Sequence, residues 1–396
     1  MRELSERGAL GSLSAEVLSA VQLQSIGEPL LPNLKTLLFW GIEGSFVPFI
    51  PLFLSPNTTS VSLALYKSNA AAMVASTITI TIANLPRLCP SLQEVILYPV
   101  PRNPAIAAAV SGMVRTTNRN ALRRFHVEST LTLEAGEVLY TLPNLHSLSV
   151  VIEREDSLPP ASLPNLTTLA IKCDDEGGWP GLFQGATFGK LESVIFYHQS
   201  KQMGDFLGTF EKAACSSSIQ NTLSVFNLLA SCSWSPNYSS LLSFTQLVDL
   251  VIEFSCGGRC SSTLDDDIII DLSRAMPKLE RLRLGKEPCN GFTAGVTMKG
   301  LVALACRCPN LIYLCIHFQV VSLCAPTSPR ITSDAELSAS WKDCALTQLV
   351  VGEMSVPEES ALTVAQALLR IFPRIATLDF TNGGWKDVED AIHHSG

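Results

Sequence analysis

Two pairs of cysteines carry the most explicit chemical possibility in this chain. Cys256 and Cys260 flank Gly257-Gly258-Arg259, while Cys306 and Cys308 flank Arg307. Four thiolates could hold zinc tetrahedrally, but neither spacing is the paired C-x-x-C form. Cys306 falls at the end of a helical segment and Cys308 in the turn after it, so structural thiols are expected. Asp265-Asp266-Asp267 lacks the glycine and terminal glutamate of a calcium loop. It reads instead as the acidic start of a helix, where carboxylates meet the positive end of the dipole. Of the six histidines, His126, His146, His198 and His317 lie in or beside strand-like segments, where alternation can set a side chain on solvent without a catalytic role. There is no P-loop, no G-x-S-x-G elbow, no H-E-x-x-H and no dinucleotide-binding glycine pattern. The residues therefore predict no enzyme, no metal and no cofactor.

The elements that would position any site are announced by a recurring phrase: a turn, a leucine, two variable residues, a second leucine, one variable residue and a last apolar residue. It is cleanest at Pro32-Asn33-Leu34 with Leu37 and Phe39, Pro143-Asn144-Leu145 with Leu148 and Val150, Pro164-Asn165-Leu166 with Leu169 and Ile171, Pro277-Lys278-Leu279 with Leu282 and Leu284, and Pro309-Asn310-Leu311 with Leu314 and Ile316. Weaker copies begin at Leu92, Leu122, Leu191, Leu223, Leu247, Leu346 and Ile375, and a degenerate one at Thr58. Steps between first anchors run from 21 to 35 residues, enough for a strand, a return segment and often a helix. This is leucine-rich-repeat grammar. The predicted fold is α/β, a leucine-rich-repeat solenoid or horseshoe with a parallel strand-lined concave face and helices or loops on the convex face. The repeats occupy residues 31–381 as one continuous solenoid, between a helical cap or remnant at 1–30 and a tail at 382–396.

Composition supports a long core. Of 396 residues, 47% are hydrophobic and 16% charged, which excludes disorder, and the net charge of -8 argues against general binding to a phosphate backbone. No amino-terminal stretch resembles a signal peptide and no apolar run of 18 or more residues suggests a membrane span; Ala70 to Ile82 is apolar, short and carries three threonines. An intracellular protein, cytoplasmic or nuclear, is expected, with no nucleic-acid or membrane partner. Its 12 scattered cysteines should be reduced, and the sequons at Asn57, Asn165 and Asn237 would matter only in a secreted protein.

Helical spacing is clearest over Leu264–Met276 and recurs over Thr297–Cys306, Pro357–Phe372, Met203–Ala214 and Pro104–Val114. Loops are predicted for Asp174–Gly181, which carries Trp179, and for the serine- and proline-bearing insert between Ile316 and Leu346.

The stretch Gly295 to Leu311, with Cys306-Arg307-Cys308-Pro309-Asn310-Leu311, resembles the cysteine-containing leucine-rich repeat of F-box proteins; Thr263 to Leu284 repeats its logic. The ending, Ala361 to Phe380 followed by Trp385 and Val388, is similar to that of fungal F-box proteins with divergent repeats. The resemblance implies the substrate receptor of a cullin-type ubiquitin ligase. An F-box itself is a longer helical module opened by a Leu-Pro phrase. Residues 1–30 offer only Leu13-Ser14-Ala15-Glu16-Val17-Leu18, so a Skp-type adaptor is an expected partner only if an F-box is supplied upstream.

Alternation predicts which strand residues face a ligand. Trp40, Tyr98, Arg124, His126, Tyr197, Asp249, Glu253, Arg281, Arg283, Tyr313 and His317 should lie exposed on the concave face. Aromatic and arginine anchors suit recognition of a protein. An enzyme regulator such as a GTPase activator on the same solenoid, or a scaffold without ligase coupling, are the alternative functions.

Overall fold

The computed structural model describes residues 3–5, 15–24, 28–42, 46–65, 71–98, 103–152, 161–173, 179–198, 205–230, 236–254, 264–285, 295–319, 343–351, 356, 360–380 and 385–395. The chain divides into two compact units, Met1–Leu191 and Glu192–Gly396, both α/β.

The first unit carries strands β1 (Glu3–Ser5), β2 (Thr36–Ile42), β3 (Ser60–Leu65), β4 (Glu94–Leu97), β5 (Arg124–Thr130), β6 (Ser147–Ile152) and β7 (Thr168–Cys173), parallel and adjacent in sequence order. Between them lie α1 (Ala15–Gln24), a 3-10 segment (Val47–Phe53), α2 (Ala71–Leu88), α3 (Pro104–Thr116) and α4 (Leu133–Leu139), with the single turn α5 (Pro180–Phe183) after β7. The second unit repeats the scheme. Its parallel strands are β8 (Ser193–His198), β9 (Val225–Ala230), β10 (Asp249–Phe254), β11 (Arg281–Leu284), β12 (Tyr313–Ile316), β13 (Gln348–Val351) and β14 (Thr377–Phe380). Its helices are α6 (Phe206–Ser216), α7 (Asp266–Ala275), α8 (Met298–Arg307), α9 (Ala361–Ile371) and α10 (Lys386–Ser395).

Each strand from β2 to β14 starts two residues after a first anchor, and the anchors are buried, including Thr58. The second anchors then fall into register: Leu37, Val61, Val95, Phe125, Leu148 and Leu169 pair in series in one unit, and Val194, Phe226, Leu250, Leu282, Leu314, Leu349 and Leu378 in the other. A one-residue slip would turn every one of these out of the core, which is why the register is unambiguous.

The turns are stitched by the backbone as well. The carbonyl after a first anchor accepts two amides from the next repeat: Lys35 O from Thr59 N at 2.8 Å and Ser60 N at 3.0 Å, Glu280 O from Ile312 N at 2.8 Å and Tyr313 N at 3.1 Å. Asparagine side chains add a rung, with Asn57, Asn144 and Asn165 Nδ2 each donating at 2.9 Å to the turn carbonyl of the preceding repeat. The amide nitrogens of the Asn57 and Asn165 sequons are thus held by the backbone. Thr58 replaces a leucine at no hydrogen-bonding loss, because its buried hydroxyl donates to Leu34 O at 3.1 Å.

Helices fill the return segments. The predicted helices appear with their ends moved by a few residues, and residues 357–359 and 203–204 lie outside the described set. Residues 71–82 of the apolar stretch belong to a longer helix, α2, in which Thr79 and Thr81 hydroxyls donate to Ala75 O at 2.7 Å and Thr77 O at 2.9 Å, and residue 70 lies outside the described set. Those internal bonds satisfy the threonine hydroxyls within the helix. The segment read as a tail from residue 382 contains α10, which contacts α9; Trp385 just before it and Val388 and Ile392 within it are buried. Of the loop at 174–181, residues 174–178 lie outside the described set, and Trp179 is a buried anchor against Phe183 at 6.0 Å instead of a loop ornament. The core of the second unit centres on Phe210, whose ring lies 5.5 Å from Phe196, 4.8 Å from Phe226 and 5.4 Å from Phe244.

Candidate protein-binding faces

The outward residues of β10, β11 and β12 form the densest cluster. Arg281 and Tyr313 are direct register partners, and both Arg281 and Arg283 place their guanidinium carbons over the Tyr313 ring, 5.4 and 5.2 Å from its centroid. A cation over an aromatic face is attracted by the ring quadrupole. Arg283 also donates to Glu253 and to the Tyr313 hydroxyl. Partial burial pulls the Arg283 guanidinium down, but its bonds to Glu253 and Tyr313 outweigh that and leave it above the ordinary arginine value. Burial pushes the Tyr313 phenol up against the opposing pull of Arg283.

Asp249 lies at the edge of this cluster, with Arg281 Nε 3.8 Å from its Oδ2. Its other oxygen is covered and accepts no hydrogen bond among the described residues, and the Asn227 side-chain oxygen on neighbouring β9 is in the same condition. Burial raises the Asp249 carboxyl while Arg281 and Arg283 lower it, and burial prevails. Beside these charges the same face presents half-buried Ile195, Val225, Leu229 and Val251 and exposed Tyr197. The second unit therefore offers an apolar half and a charged, aromatic half on adjoining strands.

Two residues expected on the surface are buried. Glu253 is 8% exposed because Arg283 lies against its carboxylate. His317 is 6% exposed, with its ring packed beside Gly285, where an added Cβ would lie in contact with it at 3.4 Å. Burial lowers the His317 proton affinity. His198 also departs from the solvent-facing expectation. It shares the inward parity of Val194 and Phe196 and packs with its ring 5.9 Å from Phe206.

In the first unit the predicted residues lie in β2 and β5 and just past β4. Trp40 is in β2, its side chain outside the described set. Tyr98, just past β4, is 51% exposed; its phenol is raised by partial burial and by the charge of Glu128. Arg124 is exposed and pairs with Glu94 at 3.3 Å, while Glu94 also accepts from Ser60 Oγ at 2.8 Å. His126 is half-buried and its Nε2 meets Ser147 Oγ at 2.7 Å. Burial lowers its proton affinity, Glu94 raises it and Arg124 lowers it further. This distance suits a base facing a hydroxyl nucleophile. Glu94 is committed to Ser60 and Arg124, however, and among the described residues no acid orients the other ring nitrogen.

Alternation alone missed a cavity of about 450 Å³ at the carboxyl ends of β5, β6 and β7, where Lys172 Nζ reaches past Val151 to Glu128 Oε1 at 3.1 Å. The register shift between His126 and Thr130 opens it, as bulges do when they re-aim side chains.

The thiols have backbone partners. Cys308 Sγ donates to Met276 O at 3.6 Å, and burial, then Cys344, push its thiol up to about 12 against Arg307. Cys344 Sγ lies 3.9 Å from Cys308 O. Protonated thiols of this kind are poor metal ligands and poor nucleophiles. Cys256 and Cys260 lie outside the described residues, and among the described residues no group of three His, Cys, Asp or Glu side chains could hold a metal ion. Nor, among them, is any helix long and apolar enough to cross a membrane. The chain matches no protein-family model and no curated protein in sequence.

Proposed function

We propose that this chain is a non-catalytic, intracellular leucine-rich-repeat protein that holds another protein on its strand-lined face, in the manner of the substrate-recognition part of F-box proteins. The observation that carries the reading is the outward face of β9 to β12, where Tyr313 stands braced by Arg281 and Arg283 and half-buried Val225 and Val251 lie on the strands beyond them. Interfaces draw their affinity from such rigid aromatic and arginine anchors set next to apolar ground. The repeat phrase supports the horseshoe form, and the Gly295 to Leu311 segment supports the F-box kinship. Coupling to ubiquitination through a Skp-type adaptor belongs to the same proposal and requires a joined F-box.

The test is capture of partners by crosslinking in cells, followed by affinity measurement with purified protein. Replacing Arg283 and Tyr313 by alanine should weaken binding by about 2 kcal/mol or more, as at other hot spots, with an unchanged circular dichroism spectrum. Full affinity in a folded double variant would move the interface off this face.

A further inference from the structure

The first unit holds a separate concentration of positive charge that the face described above does not use. A cavity of about 480 Å³ opens on the outward side of β4 to β7, lined by Arg123, Arg124, His126 and His146 with the hydroxyls of Ser147 and Thr168; Glu94 is its one acid. Two arginines against one acid give the cavity a positive balance in a chain with 36 acidic and 28 lysine or arginine residues. Register explains their convergence, because Glu94, Arg124, Ser147 and Thr168 are successive partners across the sheet. Arg123 and His146 occupy the preceding turn positions of neighbouring repeats, joined by the bond from His146 N to Arg123 O at 2.7 Å.

Most of this donor capacity is unspent. Arg123 is exposed and has no ion-pair partner among the described residues. Arg124 uses one nitrogen on Glu94, leaving the rest of its fork. His146 is exposed, and its Nδ1 already donates to Asn144 O at 2.6 Å. The Thr168 hydroxyl makes no hydrogen bond among the described residues.

We infer that this cavity receives an acidic segment of a protein partner, with side-chain carboxylates accepting from Arg123 and Arg124 and from the Thr168 hydroxyl beside them. Forked guanidinium groups match carboxylate geometry, and an opposite charge steers the encounter. A nucleic acid fits less well: no Phe, Tyr or Trp side chain lines the cavity for base stacking, and the net charge of -8 repels a long polyanion. The inference rests on the protein-binding reading, but through different strands and a different unit.

The probe is a fluorescent hexaglutamate peptide, with hexalysine and a ten-residue oligothymidine as comparisons, titrated by anisotropy into the full chain at low and physiological salt. Hexaglutamate should bind, more weakly as salt rises, and Arg123→Glu should reduce its affinity at least tenfold. Glu94→Gln removes the competing charge and keeps acceptors for Ser60 and Arg124, so it should tighten binding several-fold. No binding of hexaglutamate, equal binding by Arg123→Glu, or tighter binding of oligothymidine would each overturn the inference. Loss of partner affinity in the Arg283 and Tyr313 variant alongside any of those results would sink this site alone. Hexaglutamate binding with intact partner affinity in that variant would sink only the face proposed on β9 to β12.

Discussion

Asp266 should matter more to stability than either aspartate beside it, although all three begin the same helix. Its carboxylate leaves α7 to cap the next helix: Oδ1 accepts from Thr297 N at 2.8 Å and Gly300 N at 2.9 Å, and Oδ2 from Thr297 Oγ1 at 2.6 Å. Two amides at the start of α8, which no intrahelical carbonyl can reach, are thereby satisfied from the neighbouring repeat. A hydrogen bond to a charged acceptor contributes roughly 1.5–3 kcal/mol. Water can reach this half-buried site and recover part of the loss, so Asp266→Ala should cost about 2–4 kcal/mol. Asp265 caps only its own helix, through Ile268 N at 2.9 Å, and its alanine variant should cost about 1 kcal/mol. Asp267 stands 3.6 Å from Lys299 Nζ with both side chains exposed, and its removal should be close to neutral. Urea unfolding of the three variants checks the order, provided the slopes agree. Gly300→Ala gives a second handle, because a Cβ there would lie 2.7 Å from Asp266 Oδ1 and expel the carboxylate. Its cost and that of Asp266→Ala should overlap in the double variant, not add. An Asp266→Ala effect no larger than that of Asp267→Ala, or simple additivity with Gly300→Ala, would refute the inter-repeat cap.

Two more expectations concern titration. His317 is held neutral by burial, its folded proton affinity lying below the unfolded value of roughly 6.5. Its contribution to stability is therefore complete above that pH and is lost as the pH falls through the lower folded value. His317→Gln should flatten the acid limb of the urea midpoint as the pH falls below about 6.5. His126 contributes with the same sign, so the limb shrinks without vanishing; superimposable limbs would contradict the burial of His317. The buried thiols of Cys89 and Cys308, pushed up to about 11 and about 12 chiefly by burial, should resist iodoacetamide at pH 8 until the protein unfolds, while exposed Cys215 reacts at once. Early labelling of Cys308, read by peptide mass mapping, would show that its turn opens readily.

The positions of the strands were legible in the sequence because they depend on a local, two-residue alternation around a buried anchor. Even Thr58, with no leucine, marks β3 correctly. Asp265 as a helix cap was legible for the same reason, since its partner, Ile268 N, lies three residues away. Local pattern could not assign Asp266 to the following helix, because that bond joins residues more than thirty positions apart. Exposure was equally out of reach wherever a neighbouring strand intervenes: Glu253 is covered by Arg283 and His317 settles over Gly285, and each pair unites different repeats. The clustering of Arg123 and His146 is likewise invisible to alternation, since both sit in turns. A chain can encode the inward or outward parity of its own residues through a single strand. What lies beside an outward residue is set by lateral register, and only the assembled sheet brings those distant repeats side by side.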